Sequence, residues 1–212
     1  MATRIIGISS ALLLAVSAYG MFFLARPDRV QGDAARIVYF HVPIAWVAFL
    51  AFFVVFCASV AYLRTSNPRW DHLGRASGEV GVVFTSLALI TGAIWGYPIW
   101  GTWWSWDPKL TTTLILWFLY LAYLMVRSYA EPPRGARYAA ILGIVGFVDV
   151  PIVYLSSYWW RTLHPQPVIG PLAEQQPSTS IIWVLLVSLV AFTAAYAFLV
   201  RVRSDIERLS TI

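Results

Sequence analysis

Long apolar runs separated by short polar clusters make up nearly the whole chain. Six of them approach the roughly 20 apolar residues that a helix needs to cross a bilayer; they lie near residues 5–25, 37–63, 79–97, 109–126, 138–158 and 180–200. Helices are expected because backbone polar groups find no outside partner within lipid. The pattern therefore predicts an all-α integral membrane protein, a bundle of six transmembrane helices forming a single domain over residues 1–212.

The first apolar run has some features of a cleaved secretion signal. Arg4 precedes it, and small residues surround Ser17. However, the run continues to Ala25, which makes it longer than the roughly 7–15-residue apolar core of a signal peptide. We therefore expect a retained first helix.

Charge supports a membrane protein and predicts its orientation. Only 12% of the residues are charged, against about 25% in soluble domains. If the six spans alternate in direction, ten of the fifteen Lys and Arg residues fall on the side of the N-terminus. The positive-inside rule then places both termini in the cytoplasm and the loop between the third and fourth spans outside. The single cysteine, Cys57, excludes an intramolecular disulfide.

That outer loop is unusually rich in tryptophan. Five of the twelve residues from Trp95 to Trp106 are tryptophan. An aromatic belt at the membrane interface is the simpler explanation for one or two of them. Five in one short loop favour a platform for a large, flat aromatic ligand.

The same loop predicts its own local structure. If residues 100–107 are helical, Trp100, Trp103, Trp104 and Asp107 share one face. We therefore expect a short interfacial Trp-rich helix on the outer face, its indoles in the headgroup layer. Asp107 followed by Pro108 predicts the N-cap and first position of the fourth helix.

Two of the three histidines are predicted on that same outer side. His41 lies at the start of the second span and His164 in the proline-containing loop after the fifth, whereas His72 lies on the opposite side. Two imidazoles suffice for the axial positions of a haem iron. Zinc needs four ligands, and no Cys or Glu cluster supplies the others. Ordinary hydrogen-bonding histidines fit the spacing too, but the tryptophans favour haem.

Charged residues near these histidines suggest further contacts. Lys109, directly after Asp107-Pro108, is the best placed of the outer basic residues to meet a ligand carboxylate, although contact with solvent or lipid headgroups fits as well. Asp149 is an acid inside the fifth span, where acids are costly, and we expect it to make an interhelical contact. Pro151 is expected to bend that helix.

Three segments resemble a known family. Residues 100–111, WGTWWSWDPKLT, resemble the WWD signature of the haem-handling membrane proteins of cytochrome c maturation. VYFHVPIAW and WWRTLHPQP, around His41 and His164, resemble the two histidine segments of the haem exporter protein C (CcmC) family. The order His, WWD, His and the six spans extend the resemblance over nearly the whole chain.

The resemblance implies a site and its ligand. Haem b (iron protoporphyrin IX) would be held transiently at the periplasmic face of the bacterial inner membrane, with His41 and His164 as axial ligands of its iron. The signature maps onto Trp100, Gly101, Trp104, Trp106, Asp107, Leu110 and Thr111, and Trp103 and Lys109 lie in the same segment. The implied partners are the periplasmic haem chaperone CcmE, the small membrane subunit CcmD and the ABC-type ATPase pair CcmA/CcmB.

The predicted function is haem binding and delivery rather than catalysis. The sequence contains no nucleotide-binding loop, so ATP dependence would come from partners, while the protein assists covalent attachment of haem to the chaperone. The alternative is a membrane b-type cytochrome that carries electrons through a bis-histidine haem. A transporter for another substrate predicts inverted repeats, which the sequence does not display.

Overall fold

The computed structural model describes residues 2–131, 133–164 and 179–210, and helices dominate this part of the chain. The helices are α1 (Ala2–Tyr19, continued by a π-helical segment, Gly20–Leu24), α2 (Val38–Thr65, preceded by a 3₁₀ turn, Asp33–Ile37), α3 (Pro68–Trp100), α4 (Pro108–Tyr129), α5 (Arg134–Phe147), α6 (Asp149–Trp159) and α7 (Thr179–Ser210). No strand occurs in the described ranges.

Six helical stretches are long and apolar enough to cross a membrane, which confirms the predicted bundle. They are Thr3–Leu24, Asp33–Thr65, Pro68–Trp100, Pro108–Tyr129, Arg134–Trp159 and Ile182–Glu207. The third begins at Pro68 rather than near residue 79. Asn67 caps it, since its side chain accepts a hydrogen bond from the Arg69 backbone N–H, and Pro68 occupies the first helical position.

The fifth span is broken in its middle, between α5 and α6. The Val148 N–H bonds to the Val145 carbonyl, three residues back, instead of continuing the α-helical pattern. Pro151 explains the break, because its ring clashes with the carbonyl four residues earlier, at Phe147. The helix is thus interrupted where the sequence predicts a bend.

The prediction of an interfacial Trp-rich helix over residues 100–107 is wrong. α3 runs on through Trp100 and ends where Gly101 takes a left-handed conformation, with φ of 73°. Residues 101–107 contain no helix, and Asp107 caps the next helix through Leu110 N–H. The stop signal at Gly101 and the start signal at Asp107 lie too close for another helix between them.

α2 lies at the centre of the bundle and separates two buried clusters. On one side Ile44 and Val47 pack with residues of α3 and α7, such as Phe84 and Phe192. On the other, Phe52 stacks on Tyr120 of α4, with ring centroids 3.6 Å apart. Close packing of this kind holds membrane helices together, because lipid tails are as apolar as the side chains themselves.

Ion pairs tie three helices together at the end of the bundle opposite residues 100–107. Arg127 of α4 donates two hydrogen bonds to Asp71 of α3. Arg75 of α3 lies 2.6 Å from Glu207 of α7, and Arg203 of α7 contacts Glu79 of α3. These basic side chains therefore serve packing within the bundle.

Asp149, the first residue of α6, is buried. Among the described residues, its Oδ2 has no hydrogen-bond partner and its side chain forms no ion pair. The interhelical contact expected of this acid is therefore not a hydrogen bond of Oδ2 to a described residue.

Candidate functional site

His41 lies in the first turn of α2, at the end of the bundle that carries residues 100–107. Its side chain is buried, only 9% exposed. The Nδ1 atom lies 2.8 Å from the Thr91 hydroxyl of α3, and the Trp95 indole meets the imidazole edge-to-face, with ring centroids 5.8 Å apart. α3 therefore holds this histidine from the side.

His164 follows α6 in an irregular segment and comes close to His41. The two imidazole centroids are 6.4 Å apart and their planes are inclined by 35°. Two imidazoles that bind one metal ion from opposite sides, each through a bond of about 2 Å, have ring centres roughly 6 Å apart. The centroid spacing of His41 and His164 is thus close to that of two imidazoles bound to one metal ion.

Asp107 connects the Trp-rich segment, residues 100–107, to the segment after α6 that contains His164. Its Oδ1 accepts the Leu110 N–H at 2.9 Å and caps α4. Its Oδ2 accepts the Thr162 hydroxyl at 2.6 Å and the Leu163 N–H at 3.1 Å. The Thr162 oxygen in turn accepts the His164 N–H. This carboxylate, only 8% exposed, therefore holds the backbone of the residues before His164.

A cavity of about 1150 Å³ lies beside the two histidines. Ordinary small-molecule sites span roughly 300–1,000 Å³, so there is room for a large ligand. Its lining is mostly apolar and comes from α2, α3, α4, α6, α7 and the segment of His164, with Gln31 from the loop before α2. It includes Lys109, which forms no ion pair within the described residues.

The tryptophans of the Trp-rich segment differ in position. Trp100 and Trp104 line the cavity, and the Trp100 ring centroid lies 6.3 Å from that of His164. The buried Nε1 of Trp104 has no hydrogen-bond partner among the described residues, so this N–H remains available to a ligand or to water. Trp103 stacks on Tyr97 and Trp106 packs edge-on against Trp104, and both are exposed, at 56% and 75%.

The structure therefore divides the predicted site residues into two groups. Those that line the cavity are His41, His164, Trp100, Trp104, Lys109 and Leu110; those that do not are Gly101, Trp103, Trp106, Asp107 and Thr111. Both groups lie at the same end of the bundle, and Asp107 contacts the segment of His164 as described above.

Sequence reasoning missed three residues of this region. Gln31, in the loop before α2, lines the cavity and accepts the Trp95 indole N–H at 3.1 Å. A turn positions Gln31: the carboxylate of Asp28 accepts the N–H groups of Val30 and Gln31, which lowers the pKa of Asp28. Thr91 and Thr162 contact or support the histidines. Threonines and glutamines are common, and no sequence signal marks these partners.

The donor set fits haem better than a protein-bound metal ion. Within the described ranges, no three His, Cys, Asp or Glu side chains group together as a metal site would require. Haem iron already has four porphyrin nitrogens and needs only axial ligands. Two histidines beside a large apolar cavity meet that requirement.

Comparison with known proteins shows the family of the chain. The model of the family described as CcmC, heme exporter protein C, matches residues 1–211. The chain is 37% identical over 203 residues to the heme exporter protein C of Bradyrhizobium diazoefficiens, covering 94% of this chain and 77% of that protein. It is 35% identical to the heme exporter protein C of Escherichia coli strain K12, covering 86% and 77%.

A plant protein shares the likeness. A putative cytochrome c biosynthesis ccmC-like mitochondrial protein of Marchantia polymorpha is 35% identical over 187 residues, which cover 88% of this chain and 78% of that protein. The family match extends over nearly the full length, and the relatives exceed 30% identity across most of it. The chain belongs to the CcmC, heme exporter protein C, family.

Proposed function

We propose that this protein binds haem at the end of the bundle that carries residues 100–107 and delivers it to an acceptor during cytochrome c biogenesis. The observation that carries the proposal is the pair of imidazoles, His41 and His164, with centroids 6.4 Å apart beside a large apolar cavity. The names of the relatives, heme exporter and cytochrome c biosynthesis proteins, support it.

Each part of the site has a task in holding this substrate. His41 and His164 ligate the iron from opposite sides. The apolar lining receives the macrocycle, with the Trp100 and Trp104 indoles beside it. Lys109 supplies the positive charge for a haem carboxylate. The haem itself contributes the iron and the vinyl group at which attachment to the acceptor takes place.

The position of the site suits release. The histidines come from the first turn of α2 and from the segment after α6, at one end of the bundle, whereas an electron-carrying cytochrome b usually holds its haem between helices inside the membrane. The segment of His164 is attached to Asp107 by two hydrogen bonds, from the Thr162 hydroxyl and the Leu163 N–H. Displacement of that segment would free one axial position, so an acceptor has a way to take over the haem.

Family membership also supports proposals about the form of haem, the membrane, the orientation and the partner proteins. We infer that the ligand is haem b and that the site faces the periplasm, with the protein in the bacterial inner membrane and both termini in the cytoplasm. The acceptor is the periplasmic haem chaperone CcmE. The small subunit CcmD and the ATPase pair CcmA/CcmB act with this chain, which contributes no ATPase and assists covalent attachment to the chaperone.

Haem titration of the detergent-purified protein, followed by addition of the acceptor, tests the proposal. We expect uptake of one haem with the absorption spectrum of a six-coordinate, bis-histidine iron, and loss of that haem to the periplasmic domain of the chaperone. A protein that takes up no haem would refute the proposal. Haem that stays bound in the presence of acceptor and cycles reversibly between oxidation states would instead identify a cytochrome b.

Replacement of Lys109 tests the contact with a haem carboxylate. Loss of one hydrogen bond to a charged group costs about 1.5–3 kcal/mol, or roughly 10–100-fold in affinity. We therefore expect Lys109→Met to weaken haem binding by that factor and to leave binding of haem dimethyl ester unchanged. The control is Arg29→Met, since Arg29 is exposed and does not line the cavity. Equal losses for haem and its ester would exclude a carboxylate contact of Lys109.

A further inference from the structure

Thr91 makes a buried hydrogen bond to the His41 imidazole. The Thr91 Oγ1 and His41 Nδ1 atoms are 2.8 Å apart, and both side chains are less than 10% exposed. Either atom of such a pair can be the donor, depending on which imidazole nitrogen carries the proton. The other hydrogen bonds of the Thr91 hydroxyl decide which of the two side chains is the donor.

The Thr91 hydroxyl has a single proton, and it donates this proton to backbone carbonyl oxygens of α3. Its Oγ1 lies 2.7 Å from the Leu87 carbonyl oxygen, one turn earlier in α3, and 3.3 Å from that of Ala88. A carbonyl oxygen only accepts hydrogen bonds. The hydroxyl proton therefore points along α3, and the Thr91 oxygen offers its lone pair to His41. The proton between the two side chains belongs to Nδ1 of the imidazole.

We propose that Thr91 is a positioning residue that fixes His41 as the Nδ1–H tautomer, so that Nε2 is the nitrogen that binds iron. A neutral imidazole carries one ring proton, and the nitrogen without it holds the lone pair that a metal requires. Histidine ligands commonly donate their other N–H to an oxygen, which fixes the tautomer and raises the basicity of the ligating nitrogen. The assignment of Nε2 as the ligand rests on the proposed function, whereas the tautomer itself does not.

The surroundings of His41 also fix the direction of its ring. At Gly92, the next residue of α3, a Cβ atom would lie only 3.1 Å from His41 Cε1, so glycine leaves space for the imidazole. One turn later, Trp95 meets the ring edge-to-face, and its own indole N–H is bound to Gln31. Residues 91, 92 and 95 thus seat the imidazole before any ligand arrives, which reduces the entropy lost on binding.

Nuclear magnetic resonance of ¹⁵N-histidine-labelled apo protein tests the tautomer directly. The chain has three histidines, and His72→Gln and His41→Gln spectra assign the signals. At mildly alkaline pH, we expect wild-type His41 to have a protonated Nδ1 and an unprotonated Nε2. Thr91→Ser, which keeps the hydroxyl, should retain this pattern. Thr91→Val, which is similar in shape but has no acceptor, should give a mixture of tautomers or the Nε2–H form.

Haem binding provides a second readout. Loss of a partner that orients a metal ligand typically costs about 10–100-fold in affinity, so we expect that loss in Thr91→Val and recovery in Thr91→Ser. The reduction potential of the bound haem should rise in Thr91→Val, because a less basic imidazole stabilises ferric iron less. A purely structural role would lower the protein's thermal stability without moving the potential.

The outcomes separate this inference from the proposed function. An unchanged His41 tautomer in Thr91→Val would overturn the inference while leaving the haem site in place. A wild type with the expected tautomer but no haem uptake would overturn the proposed function instead. If Thr91→Val does not fold, Thr91→Ala takes its place, and a Nε2–H tautomer in wild type or in Thr91→Ser would by itself contradict the role of Thr91.

Discussion

Replacing either His41 or His164 by alanine is expected to abolish the six-coordinate haem spectrum and to lower the affinity for haem by more than about 100-fold. This loss exceeds the roughly 10–100-fold expected when a residue that only orients a metal ligand is removed, because an iron–nitrogen bond itself is removed. The two centroids are 6.4 Å apart, and no third histidine lies near them to substitute. The measurement is a spectral titration of haem into each purified variant.

The two variants should also resemble each other. In each, the remaining imidazole supports at most a five-coordinate iron, and the double variant should bind no haem through the iron. His72→Ala is the matched control, since His72 lies near the start of α3, at the opposite end of that helix from Thr91 and Trp95. A single variant that keeps the six-coordinate spectrum would show that its histidine is not a ligand.

Asp107→Asn is expected to separate the two tasks of Asp107. Asparagine is as good an N-cap as aspartate, so one side-chain oxygen still accepts the Leu110 N–H. The other oxygen becomes an NH₂ group, which cannot accept the Leu163 N–H and loses the charge that attracts the Thr162 hydroxyl. α4 therefore stays capped while the segment of His164 is released.

The expected result is a loss of about 10–100-fold in haem affinity, as for other groups that orient a metal ligand, with a partial change from six- to five-coordinate iron. Thermal stability should change little compared with Asp107→Ala, which also removes the cap and its roughly 0.5–2 kcal/mol. Thr162→Val should reproduce part of the affinity loss. Asp33→Asn, an equal charge change at an exposed ion pair, is the control. Unchanged affinity in Asp107→Asn would contradict this role.

Much of the architecture could be predicted because hydrophobic length is a strong local signal. A run of about 20 apolar residues is most stable in a bilayer as a membrane-spanning helix, and all six predicted spans are present. The start of α4 could also be predicted from neighbouring residues, because Asp107 is its N-cap and Pro108 is its first residue. The break beside Pro151 follows from the covalent structure of proline.

The predicted Trp-rich helix failed for a reason that is also local. Its residues satisfy helical spacing, but Gly101 ends α3 and Asp107 begins α4, and spacing alone does not reveal which signal prevails. The distribution of the tryptophans could not be predicted at all. Whether an indole lines the cavity, as Trp104 does, or is exposed, as Trp106 is, depends on neighbours from other helices.

The sequence by itself determined the membrane spans, the enrichment of tryptophan and histidine in particular segments, and the cap of α4, because each depends on residues close together along the chain. Only the tertiary structure decided that His41 and His164 meet, that Asp107 holds the segment of His164, and that Thr91 contacts His41. These contacts join residues 50 or more positions apart. Helix packing brings them together, and packing depends on the shapes of all the helices at once.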